Sequence, residues 1–65
     1  MKEFETIEDI LNFAIDSEQK AVDFYTDLAG RSENEAMKVV FEQFANEEKG
    51  HKAKLQNIKA NEAFV

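Results

Sequence analysis

The chain reads as all-α: an antiparallel helical hairpin that pairs with a second copy into a ferritin-like four-helix bundle. Three observations point there. Apolar residues recur at helical spacing in two long stretches. Proline is absent and glycine occurs twice, so almost nothing interrupts those stretches. At 65 residues a single domain buries too little surface to be secure alone, and chains of this size usually rely on disulfides, a metal or a partner subunit. With no cysteine, metal and partner remain.

The first helix is expected over residues 7–29. Thr6 caps it, with Asp9 three residues on, and acidic Glu8 and Asp9 suit the positive end of its dipole. Its apolar positions are Ile7, Ile10, Leu11, Ala14, Ile15, Ala21, Val22, Tyr25, Leu28 and Ala29. Gly30 is expected to stop it in a left-handed cap, with the turn at 30–32. Ser32 and Glu35 form an S-x-x-E capping box for a second helix over about 33–60, whose apolar side carries Ala36, Met37, Val40, Phe41, Phe44, Ala45, Leu55 and Ile58. So short a connection makes the helices antiparallel neighbours within one domain, 1–65. Met37, Phe41 and Phe44 are expected in the core, and Phe64 in the tail packs on a neighbour or frays. Glu42, Glu47, Asp16, Asp23 and Asp27 fall off the stripes and are expected in water.

Two carboxylates break the pattern. At 100° per residue, Glu18 lies amid Leu11, Ala29, Tyr25 and Ile7, all within about 20° of it. Glu48 lies equally central among Phe41, Met37 and Leu55, and His51 stands about 60° to one side. A carboxylate in an apolar stripe is normally paired, protonated or metal-bound, because burying it bare is costly. Lys52, about 40° from Glu48, is the candidate ionic partner, although its stem can carry the charge outward. A metal is the other solution. A Glu-x-x-His pair on one helix with a lone Glu on another is half of a di-iron or di-manganese carboxylate site, and two copies complete it. The candidate ligands are therefore Glu18, Glu48 and His51, with two iron ions, or manganese, per dimer; four carboxylates balance two divalent ions. Tyr25 lies two turns beyond Glu18, placed either to hydrogen-bond a ligand carboxylate or to pack in the core. Gly50 either permits a close helix approach or is a tolerated defect.

The net charge of −6 excludes a nucleic-acid partner, whose phosphates need a basic face. No apolar run is long enough for a membrane span, so the expectation is a cytoplasmic protein whose partner is a copy of itself, as a dimer or a multiple of dimers. The electron donor is unknown.

The segments AIDSEQKAVDFY (Ala14–Tyr25) and FEQFANEEKGHKAKL (Phe41–Leu55) resemble the first two helices of the rubrerythrin group of the ferritin-like superfamily. The resemblance implies a di-iron centre held by Glu18, Glu48 and His51, with Tyr25 beside the ligands, and oxidoreductase chemistry on Fe(II), oxygen or peroxide. A full rubrerythrin-like domain has four helices in one chain; the two helices here also resemble encapsulated ferritins, whose subunits pair to form a ferroxidase site. Rubrerythrin's cysteine-rich electron-delivery domain has no counterpart, and neither does its glutamate on the third helix. A non-catalytic helical dimerisation module is the alternative.

Overall fold

The computed structural model describes residues 6–62. They form two helices, α1 (Ile7–Arg31) and α2 (Glu35–Glu62), packed antiparallel along their length. The molecule is a slab 47 × 27 × 10 Å, one helix thick. Met1–Glu5 and Phe64 lie outside the described residues, and so does the expected role of Phe64.

α1 begins as its sequence suggests. Thr6 is extended, and its hydroxyl oxygen accepts from the Asp9 amide at 3.0 Å, satisfying one of the first-turn N–H groups. The connection departs from expectation. α1 runs through Gly30 to Arg31 and ends at Ser32 in extended backbone, whose N–H reaches the Ala29 carbonyl at 3.4 Å. Among the described residues there is no positive φ, so Gly30 serves no left-handed cap. The turn is therefore 32–34, not 30–32.

Ser32 does not cap α2 either. Its hydroxyl donates to the Asn34 carbonyl at 3.1 Å. The cap is Asn34, whose side-chain oxygen accepts from the Met37 amide at 2.9 Å while its carbonyl accepts from Lys38 at 2.9 Å. Asparagine caps as well as serine, so two adequate caps competed. The later one caps α2, and Ser32 finishes α1.

The shared interior is small: Leu11, Val22, Ala29 and Ala45 are buried, and among the described residues no charged or polar residue joins them. These four mark a strip on each helix about 20–60° to the positive side of Glu18 and of Glu48. Several large apolar residues on the negative side stay exposed. Met37 is 42% exposed and Phe44 39%, so the expectation that both are core fails within the hairpin, while Phe41 is half-buried. One neighbouring helix covers only part of an apolar arc this wide.

The uncovered arcs share one face of the slab. Two facing antiparallel helices turn their negative-side residues to the same side, and the rings of Tyr25 and Phe44 meet edge-to-face there with centroids 5.2 Å apart. Ile7, Ile10, Met37, Phe44 and Ile58 continue this apolar face. The opposite face is polar and holds an open groove of about 310 Å³ lined by Thr26, Ala29, Gly30, Lys38, Glu42, Ala45 and Lys49. The outward acidic residues behave as expected: Asp16 pairs with Lys20 at 3.2 Å, Asp27 with Arg31 at 2.9 Å, and Asp23 accepts from Gln19 at 2.8 Å. Glu42 and Glu47 are exposed. Gly50 meets nothing within 4 Å of a would-be Cβ, which removes close approach as its reason within the hairpin.

Candidate metal centre

Glu18 stands near the middle of α1, and Glu48 near the middle of α2. Antiparallel packing brings those midpoints level. His51, one turn after Glu48, then faces the same space, because residues three apart on a helix are surface neighbours. The three side chains each offer a ligand atom, all within 4.8 Å of one another. His51 Nδ1 lies 3.4 Å from Glu18 Oε2 and 3.7 Å from Glu48 Oε2. Both are ion-pair distances, long for hydrogen bonds. The carboxylates are the sheltered members, with side chains 25% and 22% exposed against 61% for His51. The cluster thus sits at the inner edge of the apolar face, its histidine on the open side.

The electrostatics are unresolved within one chain. Glu18 Oε2 is buried and has no hydrogen-bond partner. The adjacent Glu48 carboxyl holds the Glu18 carboxyl above its ordinary range, and burial adds to the shift; His51 acts in the opposite direction. Two acidic groups and one imidazole gathered around a space, one of their oxygens sheltered and without a hydrogen bond, are a donor set that a divalent cation fits. The oxygen would gain a partner, and the mutual repulsion would become joint attraction.

Among the described residues no lysine or arginine pairs with either carboxylate. Lys52, the expected ionic partner, instead donates to Gln19 Oε1 across the helix interface. Gln19 went unnoticed in the sequence because its importance depends on which residue of the other helix lies opposite. Its only local signal is its position beside Glu18 at the polar edge of the stripe. Tyr25 is half-buried, with ring contacts to Phe24 at 5.3 Å and Phe44 at 5.2 Å. No bond joins its hydroxyl to Glu18 or Glu48 in the hairpin.

The family profile described as Rubrerythrin matches residues 9–63, nearly the whole chain and both segments that carry these side chains. The chain belongs to the rubrerythrin family. Rubrerythrin-type helices are those of the di-iron carboxylate fold, and the all-helical hairpin accords with two of them. Comparison with curated proteins and with solved structures gave no significant match. No helix among the described residues is long and apolar enough to cross a membrane.

Proposed function

We propose that two copies of this rubrerythrin-family hairpin join through their apolar faces into a four-helix bundle. Glu18, Glu48 and His51 of the two copies together then hold two iron ions per dimer, with manganese the second fit, in an oxidoreductase acting on Fe(II), oxygen or peroxide. The observation that carries the reading is Glu18 Oε2, a sheltered carboxylate oxygen with no hydrogen-bond partner, beside a second carboxylate and an imidazole. Stability alone gives no reason to gather those groups there.

Three donors per chain leave a metal under-coordinated, and the cluster opens on the face that is also apolar and uncovered. A second copy answers both needs. Each chain brings two carboxylates, so a dimer neutralises two divalent ions without further charge. When bound, iron would supply the change of oxidation state that a helix of glutamates and histidine lacks. The chain's own part is to seat and shield it. Glu18 and Glu48 bind as carboxylates, and a cation between them would offset the nearby Glu48 charge that helps hold the Glu18 carboxyl above its ordinary range. His51 binds as neutral imidazole through Nδ1, the ring nitrogen facing both carboxylates. Tyr25, Phe44 and Leu55 flank the cluster and would exclude water once covered, and the Tyr25 hydroxyl would be placed to donate to a ligand carboxylate.

The test is iron stoichiometry and native mass. Wild-type protein should bind one iron per chain and run as a dimer or a multiple of dimers, and Glu48→Ala should remain helical by circular dichroism but bind no stoichiometric iron. Unchanged iron content in that variant overturns the site. Oxygen consumption with Fe(II) then tests the chemistry, and a metal-replete dimer without turnover leaves the dimerisation module as the function.

A further inference from the structure

Behind the carboxylates, on the polar side of the slab, a chain of three side chains crosses the helix interface. Asp23 Oδ1 accepts from Gln19 Nε2 at 2.8 Å, and Gln19 Oε1 accepts from Lys52 Nζ. Lys52 is half-buried and stands one turn after Glu48, where side chains four apart are neighbours. A carboxylate is a stronger acceptor for an ammonium than a carboxamide is, since it adds a full opposite charge to the hydrogen bond. Glu48 lies within reach along the helix, and Glu18 Oε2 has no hydrogen-bond partner. Yet the ammonium goes to Gln19, and neither carboxylate has an ion pair with it.

We propose that Gln19 is a positioning residue that tethers the Lys52 ammonium away from the Glu18–Glu48 pair, keeping the pair free for a divalent cation. Lys52 is the competitor the fold carries within itself: its single positive charge can enter the same carboxylate field that attracts a metal. Asp23 completes the tether. It fixes the orientation of the carboxamide by taking its N–H, so that the oxygen is the atom presented to Lys52, and its charge strengthens that oxygen as an acceptor. The inference rests on the reading of Glu18, Glu48 and His51 as metal ligands, and adds that two residues outside the ligand set tune how strongly they bind.

The experiment is manganese(II) titration of the full chain by calorimetry, with thermal melts of the metal-free proteins alongside. Gln19→Met removes the acceptor while keeping length and helix propensity. Lys52 should then turn to the carboxylates, and manganese affinity should fall about fivefold, the scale of one partly exposed ion pair that the metal must displace. Lys52→Met added to Gln19→Met should restore wild-type affinity or better, because the competitor is gone. Wild-type affinity in Gln19→Met, or no recovery in the double variant, overturns the tether. A merely structural tie between helices predicts that the double variant melts lower than either single variant and binds no better than Gln19→Met. If wild-type protein itself takes up no manganese or iron, the metal-site reading fails, and the tether with it; the tether alone fails when wild type binds and Gln19→Met binds equally.

Discussion

Phe44→Ala separates what the hairpin buries by itself from what a second copy would bury. Phe44 is 39% exposed in the single chain, so about three-fifths of it is already covered, with its ring edge-to-face against Tyr25. Fully burying a phenylalanine is worth about 1.5–3 kcal/mol, and an edge-to-face ring pair adds about 0.5–1.5 kcal/mol. Truncation should therefore cost the hairpin about 2 kcal/mol whatever its oligomeric state. The remaining two-fifths is left uncovered by the described residues of the hairpin. If a second copy covers it, the loss is about 0.6–1.2 kcal/mol on each side of the interface. Counted over both chains, that weakens the dimer by roughly tenfold to fiftyfold. Sedimentation velocity over a dilution series reads this directly. Val39→Ala is the control: Val39 is 49% exposed but points away from Glu48 by about 180°, off the apolar face. The reasoning fails if Phe44→Ala associates as the wild type does, or if Val39→Ala weakens association equally.

Three further outcomes follow from the geometry. Glu18 has a raised pKa in the folded chain, so between its ordinary value, near 4.5, and that raised value the folded protein holds a proton the unfolded chain has released. Its contribution to metal-free stability should be complete below that window and fall as pH rises through it; urea midpoints in chelator should show the decline, and Glu48→Gln should flatten it. Asn34→Ala should lower stability by about 1 kcal/mol in thermal melts, and Ser32→Ala by clearly less; the reverse order would restore Ser32 as the cap of α2. Gly50→Ala should raise the melting temperature, by up to about 1 kcal/mol in stability, since a methyl there meets open space; a loss would mean that another chain approaches that side.

Much of the fold was legible because its strongest signals are local. Thr6 caps α1 from three residues away, and the apolar period marks both helices whatever they pack on. The connection was less legible. Ser32 and Asn34 are comparable N-caps, and the local sequence does not say which one is used. The convergence of Glu18, Glu48 and His51 was readable because each carboxylate interrupts a stripe and the two lie level once the hairpin closes. The partner of Lys52 was not. A helical wheel reports the neighbours of Lys52 on its own helix and says nothing of Gln19 on the other. Nor does a wheel reveal how much of an apolar arc one neighbour covers, which is why Met37 and Phe44 emerge at the surface.

The central position of the cluster has a dynamic consequence. Glu18 stands eleven residues after Ile7 and thirteen before Arg31, and Glu48 thirteen after Glu35 and fourteen before Glu62. Helices loosen from their tips inward, so fraying at any of the four tips must melt about three turns before it disturbs a donor atom. Amide exchange should therefore be slowest around residues 18 and 48 and quicken towards both ends of the slab.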